Sequence, residues 1–199
     1  MVKQIFQIGA QCLTQKAIKV ENVASEKTRE VINDLLETVK NVADRSAGLS
    51  ANQIGEDLNI CIVRRVDLEE KLQLMQEKNG EKLSDHILWK VLINPRILKK
   101  SQKESYYWEG CLSVGENEED TIFGPVRRSD DIEIEYFDRV GDRKKLKAND
   151  FFAHVIQHEL DHLDGELFVA KVPNPEYNLK KADEIEKYMK KFGDWPEIV

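Results

Sequence analysis

Residues 157–165 read Gln-His-Glu-Leu-Asp-His-Leu-Asp-Gly, and three of them, His158, Glu159 and His162, have the types and spacing of a metal-dependent hydrolytic site. About one helical turn separates the two histidines, so both imidazoles leave the same face and can share one divalent ion. Glu159 stands beside the pair without having to ligate. A carboxylate there can take a proton from water held by the ion and hand it to a leaving group. The alternative is a helix that bears two histidines at this spacing and holds no metal.

Two ligands do not hold a catalytic ion, and the third decides the enzyme class. In one group of metalloproteases the motif extends as HExxHxxGxxH. Gly165 is in place here, but the last position is Phe168, which cannot ligate. A second group draws a glutamate from a following helix, and Glu184 or Glu186 lies at about that remove. His154 is two turns from His162, roughly 12 Å along a helix axis, too far to join an ion centred between the other two histidines. It reads instead as a supporting or surface histidine.

The cysteines complete the candidates. Cys12 lies near the amino terminus, and Cys61 sits in the apolar run 58–63, where a buried, inert thiol is the default. Cys111 differs: it lies in Glu-Gly-Cys-Leu-Ser, residues 109–113, after the aromatic cluster Tyr106, Tyr107 and Trp108. Gly110 permits close backbone approach, and a thiolate is a strong ligand for zinc or ferrous iron.

With EGCLS at 109–113 followed by HELDH at 158–162, the chain resembles the peptide deformylases. A third segment strengthens the resemblance. The family's first motif has the form GxGxAAxQ, and residues 46–53 read Ser-Ala-Gly-Leu-Ser-Ala-Asn-Gln, followed by Ile54 and Gly55. The three motifs stand in the family's order, and the likeness runs from about Gly9 to about Phe168, including Ile-Asn-Pro at 93–95 and Gly-Pro-Val at 124–126.

Position by position, the resemblance implies Cys111, His158 and His162 as metal ligands with water in the fourth place. Glu159 would be the general acid and base. Gln53, through its side-chain amide, and Leu112, through its backbone N–H, would stabilise the oxyanion formed when water attacks a formyl carbon. Gly48 would offer its backbone to an extended N-formylmethionyl peptide lying as an added strand, with Gly110 also at the substrate. One divalent ion is implied, Fe2+ by family, with Zn2+ or Ni2+ able to substitute. The implied reaction removes the N-formyl group from the initiator methionine and releases formate. Ala47, Phe151 and Val155 are candidate members of the methionine pocket.

Two residues depart from the family pattern. Ser46 replaces the first glycine and Ser50 an alanine. Neither removes a ligand or a proton carrier, but if the first glycine needs a positive φ, Ser46 adds about 1 kcal/mol of strain. After EGCLSV the chain continues through an acidic loop at 115–120, which reads as a solvated turn or as an altered cleft rim.

The elements that must position these residues are legible in outline. Phe151, Phe152, Val155, Ile156 and Leu163 recur at helical spacing around the two histidines, with Asn149 or Asp150 as the expected cap and Gly165 as a left-handed stop. A helix is expected over 28–43, with Val31, Ile32, Leu35, Leu36, Val39 and Val42 on one face. Strands are expected at 58–64, 87–94 and 132–137, the last alternating Ile132, Ile134 and Tyr136 with Glu133 and Glu135, and a turn at 138–142 leads into 144–147. The charge-rich stretch 69–85 reads as an excursion between strands.

These elements predict an α+β fold of short antiparallel strands packed around a central metal-binding helix, as the resemblance also implies. The expected division is a catalytic domain over 1–170 and a helical extension over 171–199. In that extension Leu179, Ala182, Ile185, Met189 and Phe192 share a face. A solvated packing helix is the plain reading of it, and the resemblance offers the ribosome, near its exit site, as a partner.

At 199 residues one domain with a sizeable core is expected. The formal net charge of −7 and the absence of a basic cluster argue against a nucleic-acid substrate. No apolar run approaches the ~20 residues of a membrane span, and the start lacks a secretory apolar core. Three widely spaced cysteines point to a reducing compartment, and the cytoplasm is the expected location.

Overall fold

The computed structural model describes residues 1–42, 46–68, 88–115, 117 and 119–199. The expected excursion at 69–85 and the acidic residues Glu116 and Glu118 lie outside the described residues. In chain order the regular elements are α1 (Glu26–Lys40), β1 (Gly48–Ser50), β2 (Ile60–Arg64), β3 (Trp89–Lys100), β4 (Glu104–Gly110), β5 (Ile122–Ser129), β6 (Asp131–Phe137), β7 (Arg143–Asn149), α2 (Asp150–Leu163), α3 (Pro175–Asn178), β8 (Lys180–Lys181) and α4 (Ala182–Phe192). This is an α+β fold with antiparallel sheets, as expected from the sequence.

One sheet has the order β1-β2-β3-β6-β7, all neighbours antiparallel, and a smaller one has the order β4-β5-β8. The period-two alternation of side chains lets β2 serve two cores at once. Ile60 and Ile62 face α1, whose Val31, Ile32, Leu35 and Val39 are buried with Leu49, Val91 and Ile93. Cys61 and Val63 face α2 and share a core with Ile132, Ile134, Tyr136, Phe152, Ala153, Ile156 and Leu163. The expected alternation in β6 is realised: its apolar residues point to α2, and Glu135 on the other face receives Arg96 and Arg143. A third apolar group, Cys111, Val114, Val126, Phe168 and Val172, lies by the small sheet.

Three expectations need correction in detail. Helix α1 begins at Glu26 because Ser25 caps it, its hydroxyl accepting the Thr28 N–H at 3.1 Å. Strand β3 does not end at Asn94 but continues through Pro95. The register shifts between Ile93 and Arg96, Asn94 turns to φ 48°, and its side-chain amide clasps the N–H and C=O of Val20. Such a bulge is where a central strand can tolerate proline. Asn149 takes the N-cap position of α2 with no side-chain cap bond, its amide donating instead to Asp150. The stop at Gly165 is as expected, with φ 81° and its N–H on the His162 carbonyl.

Candidate active site

Helix α2 lies across β1 and β2, and its inner face carries His158, Glu159 and His162. Two polar side chains from the first motif fasten it there. The Asn52 side-chain amide donates to the His162 carbonyl, and the Ser50 hydroxyl donates to Glu159 Oε2 at 2.6 Å, lying also 3.1 Å from the Glu159 carbonyl. Cys111 arrives from the end of β4. Its sulfur is 3.2 Å from His162 Nε2, and one ligand atom from each of Cys111, His158 and His162 falls within 4.8 Å of the others. Glu184 and Glu186 are engaged elsewhere, Glu184 with the Lys181 N–H and Glu186 with Lys190.

A thiolate and two imidazoles converging at this range form a donor set suited to a divalent metal. His162 presents Nε2 to the sulfur, and its other ring nitrogen, Nδ1, is buried without a hydrogen-bond partner among the described residues. Burial opposes a charged His158, yet hydrogen bonds to Cys111 and Glu109 outweigh burial and hold its pKa well above the ordinary value. Burial and the charge of His158 push His162 well below.

Glu109 carries a role that the sequence did not disclose. Its Oε2 lies 2.8 Å from His158 Nδ1, fixing that ring so that Nε2 is left for the site. Arg128 donates to Glu109 through Nε and Nη2 and to Asp161 through Nη1. Burial alone would raise the Glu109 carboxyl, but hydrogen bonds from Arg128, His154 and His158 hold it far below the usual carboxylate range. His154 is buried against Tyr107, with Nε2 3.1 Å from the Val126 carbonyl, so it supports the site through Glu109 and does not lie at the surface. The signal for Glu109 was its place beside Gly110 and Cys111, which position alone does not convert into a contact.

Glu159 is fully buried, and burial raises its carboxyl to about 7 against the pull of the His158 charge and the Ser50 hydroxyl. Gly48 makes room for it. A Cβ there would stand 2.7 Å from the Glu159 carboxyl carbon. Gly48 faces Val63 in the sheet while Arg64 N–H bonds to the Ala47 carbonyl, so the polar groups of Gly48 point off the free edge of β1. There Ser46 Oγ donates to the Gly48 carbonyl at 2.5 Å and accepts the Gly48 N–H at 3.2 Å. Ser46 has no positive φ, so the anticipated strain is absent.

Gln53 is buried, its Oε1 accepting the Ser50 N–H and its Nε2 3.1 Å from Ser113 Oγ and 3.6 Å from the Cys111 sulfur. Leu112 lines the same cleft, and its N–H has no acceptor among the described residues. Ala47, Gly48, Gly110, Phe151 and Val155 also line this cleft, of about 1360 Å³. Cys61 is buried and is not one of the converging ligands, and burial, then the Glu159 charge, raises its thiol pKa.

The model of the polypeptide deformylase family matches residues 2–178. The chain is 34% identical over 182 residues to peptide deformylase 2 of Nostoc sp., covering 92% of this chain and 90% of that one. It is 37% identical over 169 residues to a peptide deformylase of Dictyoglomus thermophilum, covering 85% and 92%. Among solved structures it is similar to the peptide deformylase of Ehrlichia chaffeensis, with TM-score 0.70, 26% identity and coverage of 98% and 100%. The same enzyme in complex with actinonin matches with TM-score 0.69 and 28% identity, covering 97% and 99%.

Proposed function

This chain belongs to the polypeptide deformylase family, and from that premise we propose that its cleft removes the N-formyl group from the initiator methionine of new polypeptides, by hydrolysis that releases formate. The observation that carries this reading is the convergence of Cys111, His158 and His162 with Glu159 beside them.

Cys111, His158 and His162 would hold a divalent ion, which would supply the Lewis acidity that lowers the pKa of water and polarises the formyl carbonyl. Glu159 accepts the proton of the attacking water and returns it to the amine of the departing methionine, a use that fits a carboxyl poised near neutrality. The Ser50 hydroxyl holds that carboxylate in place. Leu112 N–H is free to donate to the developing oxyanion, and Gln53 Nε2 joins it by exchanging its longer contact, to sulfur, for the oxygen. The peptide adds to the edge of β1 at Gly48 by taking the place of the Ser46 hydroxyl there, and passes Gly110, with the methionine side chain among Ala47, Phe151 and Val155.

The family supports Fe2+ as the native ion with Zn2+ or Ni2+ as working substitutes, and one thiolate with two imidazoles accommodates any of the three. A catalytic part over 1–170 and an extension over 171–199 complete the reading; the family match runs to residue 178 and leaves 179–199 outside it. The family supports a partner near the ribosomal exit, whereas Lys187 and Lys190 of α4 are paired with Asp183 and Glu186 on their own helix. Three free cysteines support a cytoplasmic setting, and among the described residues no helix is long and apolar enough to cross a membrane.

The test is formate release from a formyl-methionyl peptide by protein prepared without oxygen, with metal analysis of the same sample. Cys111→Ser is expected to lose ion and activity together. Cleavage of internal peptide bonds, indifferent to Cys111, would point instead to an endopeptidase.

A further inference from the structure

Strand β1 lies at one edge of the large sheet, paired with β2 alone, and Gly48 turns its N–H and C=O away from that pairing. A strand added at this edge would pair through those two groups, because residues facing each other at a closely spaced site of an antiparallel ladder exchange both bonds. The next outward amide of β1, the Ser50 N–H, is already taken by Gln53 Oε1 at 2.9 Å. Gly48 is therefore the point of attachment that β1 offers. It also lies directly against Glu159, so a chain paired there runs beside the acid-base group.

Both polar groups of Gly48 are occupied by one side chain. The Ser46 hydroxyl donates to the Gly48 carbonyl at 2.5 Å and accepts the Gly48 N–H at 3.2 Å. A hydroxyl can donate and accept at once, so a single atom two residues away stands in for the main-chain pair of an incoming strand. Ser46 is half-buried and lines the same cleft as Gly48, Cys111 and Glu159. Trp108 of β4 lines it too, with Trp195 stacked on it at 5.9 Å between ring centroids. A turn about one side-chain bond of Ser46 withdraws the hydroxyl and frees donor and acceptor together.

We propose that the Ser46 hydroxyl is a built-in competitor for the substrate's main chain, holding the β1 edge at Gly48 in the free enzyme so that a formyl-methionyl peptide gains that edge only by displacing it. The displacement weighs equally on the bound substrate and on the transition state. Ser46 therefore raises KM and leaves kcat alone. A ligand that reaches Cys111 and the two histidines without running along β1 escapes the competition. The inference rests on the deformylase reading.

Its test measures KM and kcat of the metal-loaded full chain for formyl-Met-Ala-Ser, with the product Met-Ala-Ser and the short metal-directed acetohydroxamate as inhibitors. Ser46→Ala is expected to lower KM by about three- to tenfold, the net worth of a neutral hydrogen bond, with kcat within about twofold of the parent. The inhibition constant of Met-Ala-Ser should fall by the same factor, since it reports binding without chemistry. Ser46→Thr keeps a hydroxyl and should keep the parental KM. Acetohydroxamate has no peptide chain to pair with β1, and its inhibition constant should stay within about twofold in Ser46→Ala, whereas a general disturbance of the cleft would move it. A KM for Ser46→Ala at or above the parent's, an equal fall in Ser46→Thr, a kcat reduced more than tenfold, or an acetohydroxamate constant that shifts with KM overturns the inference, while formate release by the parent upholds the deformylase reading. No formate from the parent overturns both.

Discussion

Glu109 and Glu159 are both buried carboxyls within reach of His158, and their surroundings push them in opposite directions. Arg128 and two histidines hold Glu109 ionised, whereas burial lifts Glu159 to about 7. Their replacements should therefore fail differently. Glu159→Gln keeps the three ligands and is expected to retain the ion while kcat falls by about 10²–10⁴, the usual contribution of a positioned acid-base group. Glu109→Gln loosens the partner of a ligand and is expected to weaken metal affinity by about 10–100-fold, with kcat of the reloaded enzyme close to the parent. Metal titration and saturated-metal kinetics on the two variants separate these outcomes. Equal loss of affinity in both would contradict the assignment.

At the scale of the element, α2 must be held to a fraction of its pitch, because a slip would carry both histidines away from the sulfur. Its start leans on the Asp130 carbonyl, its middle on Ser50 and Asn52, and its end on Gly165. Gly165 is the least replaceable of these. Its φ is 81°, and an added Cβ would stand 2.8 Å from the backbone oxygen of Thr14, which cannot swing aside as a side chain would. Gly165→Ala is expected to cost more than ~2 kcal/mol, from left-handed strain plus the clash, seen as a lower urea midpoint at unchanged slope. An unaltered midpoint would show that the 14–165 contact yields freely.

Across the whole molecule the proposed ligands come from two sheets' worth of structure: Cys111 follows a strand of the small sheet, and the histidines ride on a helix packed against the large one. An ion held among them would tie the two halves together and would bind only the folded chain. Removing it with a chelator should lower thermal stability by RT ln(1 + [L]/Kd), ~4 kcal/mol at a thousandfold excess over Kd, or about 10 °C for a chain of this size. Calorimetry with and without chelator measures this directly. Cys111→Ser should show no further drop on chelation.

The sequence by itself determined what is periodic or contiguous. The two-histidine turn, the apolar face of α1, the alternation of β6 and the glycine stop at 165 are each written within one element, where the backbone period fixes which side chains share a face. So too were the three motifs, down to Cys111, Gln53 and Leu112. Only the tertiary structure decided what depends on distances between elements. It set Cys111, and neither Glu184, Glu186 nor His154, beside the histidine pair. It gave Glu109 its histidine, gave Ser50 its carboxylate, and folded Trp195 onto Trp108. Spacing along a chain carries no metric across loops, and those distances arise from the packing of α2 on the large sheet, where Phe152, Ala153, Ile156 and Leu163 share a core with β2 and β6.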